Sequence, residues 1–142
     1  MAELLPAAFG PRDLGIAGGL LTSPETSLNA RIDANDVLGQ AALGAASASY
    51  AAYSRADAGI ALQIADGTIV TGRYAESAAY NPSVPALQSA LVELGLRRID
   101  RTTLTAAVMV EAAALSSQRA AAQSLLGSFC AVQLRYISVM RI

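Results

Sequence analysis

A chain of 142 residues, 54% of them apolar, has the length and composition of one domain with a single core. Aromatic residues make up only 5% and tryptophan is absent, so that core has to be built from Ala, Leu, Val and Ile, which suits Ala-rich helices lying close on a sheet. Ten arginines against eleven acids leave a net charge of −1 with no basic block, which excludes nucleic acid as a partner, and the lack of any histidine removes the commonest general base and metal ligand.

Residues 1–32 read as an extended linker arm, because Pro6, Gly10, Pro11, the pair Gly18 and Gly19, and Pro24 interrupt any helical period. The arm lacks the basic start, apolar centre and cleavage site of a secretory signal, and no apolar run approaches the ~18 residues of a membrane span. A cytoplasmic protein with no membrane partner is expected. Residues 33–142 then form one domain without internal repeats.

Asp36 is placed to cap a helix whose apolar positions Val37, Ala41, Leu43 and Ala48 carry it to about Tyr50. Residues 59–64 and 68–72 are β-prone runs flanking the turn Asp66-Gly67, the clearest hairpin in the chain. A second helix is predicted to start between Ser83 and Pro85, to bury Leu87, Leu91 and Leu94, and to stop at Gly95. Residues 104–110 read as a buried strand, 116–126 as an Ala-rich helix closed by Gly127, and 132–142 as a terminal strand. The single cysteine, Cys130, reads as a buried residue at the entry to that strand, a small hydrophobe rather than a reactive group. The order predicts an α/β domain of three layers, a mixed sheet with helices on both faces.

Ala52-Tyr53-Ser54-Arg55, the Asp66-Gly67 turn, and the run from Gly72 through Tyr74, Glu76 and Tyr80 resemble the cytidine deaminase family, from about Asp36 to the C-terminus. The family pattern is approximately YSxFxVGAAL, then DG, then GxNxENAxYxxxxCAExxA, and after a strand PCGxCRQ. The resemblance implies the cytidine deaminase-like fold. It also implies a chemistry in which three thiolates hold a zinc, the metal activates water, and a glutamate carries protons. Counted along the pattern, Pro85 stands at the first Cys, Leu87 at the catalytic Glu, and Gln118 and Ala121 at the other two Cys. Ala56 replaces the pocket Phe and Tyr74 the nucleoside-binding Asn. Glu76 then reads either as a remnant ribose contact or as part of a local hydrogen-bond network. Arg119 either fills the place of the metal or points to solvent. Ser116 and Ser117 have no imidazole to activate them, so no catalytic residue is assigned.

The arm, from Glu3-Leu4-Leu5-Pro6 through Phe9-Gly10-Pro11 to Leu14, resembles a second family segment, ELLPxxFGPxDL. In short, tetrameric members it implies a Phe reaching a neighbouring subunit's active site. In long, dimeric members it implies a joint between an active domain and a second domain without zinc, and residues 80–88 resemble the altered motif of the latter. The expectation is therefore a non-catalytic, structural C-terminal domain of a long cytidine deaminase, a pseudoenzyme with its zinc site lost and no cofactor of its own. Its partner would be the zinc-bearing catalytic domain, a hydrolase acting on cyclic amidines in pyrimidine salvage, within a homo-oligomer. The alternative is a stand-alone nucleoside-binding or regulatory module. Phe9 is expected either to pack the arm onto its own helices or to cross to a neighbour.

Overall fold

The computed structural model describes residues 9–22, 24–79 and 82–142; Glu3 to Ala8 of the arm motif and Tyr80 lie outside the described residues. A short 3-10 helix at Pro11–Leu14 ends where Gly15 turns left-handed at φ 71°. There follow strand β1 (Leu28–Asn29), helix α1 (Val37–Ser47), strands β2 (Ala58–Ile64) and β3 (Ile69–Arg73), helix α2 (Ala86–Leu96), strand β4 (Leu104–Ala112), helix α3 (Arg119–Gly127) and strand β5 (Leu134–Arg141). The sheet order is β1-β5-β4-β2-β3. β2 pairs antiparallel with β3 and β4, β4 and β5 run parallel around the α3 crossover, and β1 pairs antiparallel with the end of β5. This is the three-layer α/β sandwich that the sequence predicts, with a mixed sheet between α1 on one face and α2 with α3 on the other.

Alternation along the strands divides the core into two. Ile60, Leu62 and Met109 face Leu87, Ala90, Leu94 and Leu126. Ala61, Val108 and Val110 face Ala42 and Ala46 of α1, with Leu28, Ala30 and Ile32 of the arm covering the neighbouring surface.

Several boundaries move for identifiable reasons. Asp36 caps α1 as predicted, its carboxylate accepting from the Gly39 N–H at 3.0 Å. The same carboxylate takes a 2.7 Å bond from Arg135 of β5, and these bonds, Arg135 first, hold it below its ordinary pKa. α1 stops at Ser47 rather than near Tyr50 because Tyr50 leaves to pair with the strand end: its N–H donates to Tyr74 O at 2.9 Å and its carbonyl accepts from Glu76 N at 2.8 Å. Gly95 does not end α2, which continues to Leu96 and closes with Arg98 in the left-handed region at φ 56°. α3 starts three residues late, at Arg119, since Ser117 and Gln118 are held by Glu111 instead of entering the helix. Cys130 is half-buried in the connection between α3 and β5, not in a strand. β1, at two residues, is too short for any periodicity to reveal.

The scarcity of large side chains has a structural counterpart at two glycines. A Cβ on Gly59 of β2 would collide with the α1 backbone at Ala46 N and Ala42 O, and one on Gly72 of β3 with the α2 backbone at Ala86 O and Ala90 N. Ala42, Ala46, Ala86 and Ala90 are all fully buried. Backbone therefore lies against backbone on both faces of the hairpin, closer than any side chain allows. Gly59→Ala and Gly72→Ala are each expected to destabilise the fold by about 1–3 kcal/mol through overpacking. Denaturant titration measures this, and an unchanged midpoint would show that the helices have room to withdraw.

Candidate functional site

The C-terminal end of β4 and the N-termini of α2 and α3 converge on one region. α2 begins behind Pro85 with no side-chain cap of its own. Its first N–H, at the fully buried Ala86, donates instead to the Gln118 side-chain oxygen at 3.0 Å. A helix start needs acceptors for its free N–H groups, and one is supplied here from the start of the neighbouring helix.

Gln118 is in turn fixed from below. Glu111, at the end of β4 and 1% exposed, accepts from Gln118 N at 2.7 Å, Ser117 Oγ at 2.5 Å and Tyr136 Oη of β5 at 2.8 Å. A carboxylate this deeply buried is tolerable only when its oxygens are supplied with donors. Burial first, and the Glu111 carboxylate beside it, push the Tyr136 phenol above its ordinary pKa, so it remains a donor at neutral pH.

Two adjoining cavities open at this junction. One, of about 370 Å³, is lined among others by Ala56, Tyr74, Ser83, Pro85 and Gln118. The second, of about 210 Å³, includes Pro85, Leu87, Gln118 and Ala121 in its wall. The fold thus gathers Pro85, Leu87, Gln118 and Ala121 from two helices, and sets Ala56 and Tyr74 beside them. Glu76 is turned elsewhere: its carboxylate accepts from Tyr53 N at 2.8 Å and from Ser54 N at 3.1 and 3.2 Å, with Tyr74 Oη 3.5 Å away. Arg119 is exposed, in line with the solvent-facing expectation, and its guanidinium lies 4.8 Å over the Tyr136 ring. Phe9 is 63% exposed.

A zinc of the kind the resemblance implies requires thiolate or imidazole donors in tetrahedral array. Pro85 and Ala121 carry no donor atom, and the Gln118 oxygen is engaged by Ala86. The Cys130 sulfur lies 3.4 Å from Leu126 O, to which it donates, and the described residues contain no cluster of three His, Cys, Asp or Glu. The residues at these positions do not fit the metal.

The sequence reading missed Glu111. Its only signal was an acid inside an otherwise apolar strand, six residues before Ser117, a separation that says nothing until the loop folds back.

Residues 1–123 match the family model described as the cytidine and deoxycytidylate deaminase zinc-binding region. A protein named cytidine deaminase from Aeromonas hydrophila is 42% identical over 140 residues, covering 98% of this chain and 47% of that protein. Another of the same name from Haemophilus influenzae is 43% identical over 135 residues, covering 95% of this chain and 46% of that protein. The chain spans about half the length of the curated relatives it matches. Among solved structures, cytidine deaminase from Mycobacterium leprae superposes with a TM-score of 0.58 at 28% identity, over 77% of this chain and 94% of that one. Cytidine deaminase from Burkholderia pseudomallei, at 20% identity and a TM-score of 0.60 over 78% of this chain and 92% of that one, shares the fold.

These findings correct the expected function. The matching family model is itself a zinc-binding region and runs across Pro85, Leu87, Gln118 and Ala121, and the similar proteins are named as enzymes along nearly the whole of this chain. They therefore overturn the expectations of a non-catalytic structural domain, of a chain that is not an enzyme, of a pseudoenzyme whose zinc site is lost, and of a cofactor confined to another domain. The stand-alone regulatory module is not favoured, and a separate catalytic domain as partner finds no support. The substitutions at the four positions stay as described, a local departure within a family match.

The junction itself can be tested. Gln118→Ala leaves the buried Ala86 N–H without an acceptor and is expected to cost about 1–3 kcal/mol, while Gln118→Glu, which keeps the oxygen, costs less. Thermal denaturation of the two variants checks the order; equal losses would show that the bond to Ala86 contributes nothing.

Proposed function

We propose, for a chain that belongs to the cytidine deaminase family, that it takes part in the hydrolytic deamination of cytidine or deoxycytidine, in which water is consumed and uridine or deoxyuridine and ammonia are released. The observation that carries this reading is the 42% identity with a protein named cytidine deaminase across 98% of this chain. The two cavities where α2 and α3 meet are the surface to which we assign the nucleoside. Tyr74 and the hydroxyls of Ser83 and Ser116 supply its polar wall, and Ala56 leaves it wide. Glu76 acts one step back, holding the backbone at Tyr53 and Ser54.

The reading places the chain in the cytoplasm and in a homo-oligomer. No helix among the described residues is long and apolar enough to cross a membrane. Large apolar side chains are exposed at several places, Leu21 at 92%, Leu96 at 76% and the fully exposed Leu115. We keep the division into an arm, 1–32, and a domain, 33–142, as part of this proposal. Phe9, exposed on the arm, is the residue we assign to a neighbouring copy's pocket.

The test is the release of ammonia and uridine from cytidine by the native gene product containing this chain, with zinc content measured on the same preparation. Equal amounts of both products are expected; production of neither overturns the reading, whatever the metal content. If Phe9 forms part of a neighbour's pocket, Phe9→Ala raises KM by up to about tenfold for each 1.4 kcal/mol by which substrate binding weakens, with little change in melting temperature. An unchanged KM with a lowered melting temperature assigns Phe9 to packing alone.

A further inference from the structure

Next in sequence to Ala56, and beside the end of β4, one buried charge remains that the proposed function does not use. Asp57, the residue before β2, is 1% exposed. Its Oδ2 accepts from Arg141 Nη1 at 3.2 Å, its Oδ1 from Ser49 Oγ at 3.4 Å, and the Thr26 hydroxyl of the arm also reaches it. Burial, the largest effect, pushes the Asp57 carboxyl up, with Arg141 pulling the other way.

Arg141 has a second role in the same place. It is the β5 residue paired with Leu28 of β1, and next to it Ile142 N donates to Ser27 O at 3.0 Å. On its other side the arm is tied to the body by Thr26 N donating to Ser47 O at 2.8 Å. Just upstream of these bonds the arm spans a cavity of about 480 Å³, with Ile16, Pro24 and Glu25 on the arm side and Ser49, Tyr50 and Asp57 on the body side. The arm is therefore not close-packed where it crosses. Its hold is concentrated between Thr26 and Ile32, and within that stretch the strand pairing is only two residues long.

We propose that Arg141 is the latch of a strap: by neutralising the buried Asp57 carboxylate it removes the drive to admit water, and so keeps the arm closed over this cavity. A buried carboxylate that loses its cation carries a desolvation penalty with nothing to offset it. The relief is to take up a proton or to admit water, and the arm segment Thr26 to Asn29, paired through only two strand residues, lies where water would enter. Arg141 is 38% exposed at its side chain, so it tolerates the loss of its partner far better than Asp57, which is 1% exposed, does. The latch is asymmetric for that reason. Removing the cation opens the strap, whereas removing the buried charge leaves it closed.

Limited trypsin digestion of the native gene product reads the strap directly, because Arg31 is exposed within it and its cleavage requires the local backbone to open. Arg141→Ala is expected to speed cleavage after Arg31 by about tenfold, the factor that a closure weaker by 1.4 kcal/mol produces. Asp57→Asn alone leaves the rate near that of the parent, and Asp57→Asn added to Arg141→Ala slows cleavage back toward it. Three outcomes overturn the proposal: an unchanged rate in Arg141→Ala, a double variant cleaved as fast as Arg141→Ala, or cleavage after Arg97 and Arg98 rising as much as after Arg31, which would signify general loosening.

Discussion

At Gly59 and Gly72 the backbone of the central hairpin touches the backbone of a helix on either face, and the remaining architecture is arranged around that double contact. Four fully buried alanines on α1 and α2 make the approach possible, and the absence of a Cβ on the strands completes it. The interior is thin as a result, and medium-sized side chains fill it: Ile60, Leu62 and Met109 on one face, Val108 and Val110 on the other. A protein with no tryptophan and few aromatics reaches interior packing density by bringing its elements together, rather than by filling wide gaps with large rings.

That closeness also positions the site. With α2 held against β3 and α3 crossing from β4 to β5, the two helix starts face each other across one hydrogen bond, from Ala86 N to Gln118 Oε1. Beneath it Glu111 gathers three donors from the loop and from β5. In the family pattern the resemblance places metal ligands at these helix starts. In this chain an amide and a buried carboxylate tie the same elements together. The region is thus organised by hydrogen bonds largely shielded from water, those to the Glu111 carboxylate being the stronger. Family membership and the chemistry of the residues present are separate findings, and the first does not change the donor atoms at Pro85 and Ala121.

Three carboxylates join elements of the fold, two of them buried at strand ends, each with a different solution. Glu111 is satisfied by neutral donors within the body of the domain. Asp57 relies on an arginine at the last strand residue and so ties its own solvation to the position of the arm. Asp36, more open to water, joins a helix start to β5 through Arg135. Arg135 and Arg141 thus tie the two ends of β5 to Asp36 and Asp57.

The sequence by itself determined the order of the main helices and strands, the Asp66-Gly67 hairpin and the Asp36 cap, because these depend on periodicity and on turn and cap chemistry within a few residues. It also determined the family resemblance and the identity of the residues at the altered positions, since motif spacing is a property of the chain. Only the tertiary structure decided where α1 ends and where α3 begins, because Tyr50 and Ser117 leave helical geometry for bonds to Tyr74, Glu76 and Glu111 that form only once the chain has folded back. It alone also placed Arg119 over Tyr136, 17 residues on by number, and brought Asp57 to Arg141, whose separation is 84 residues. A buried charge selects its partner by proximity in space, and proximity exists only once the sheet has closed.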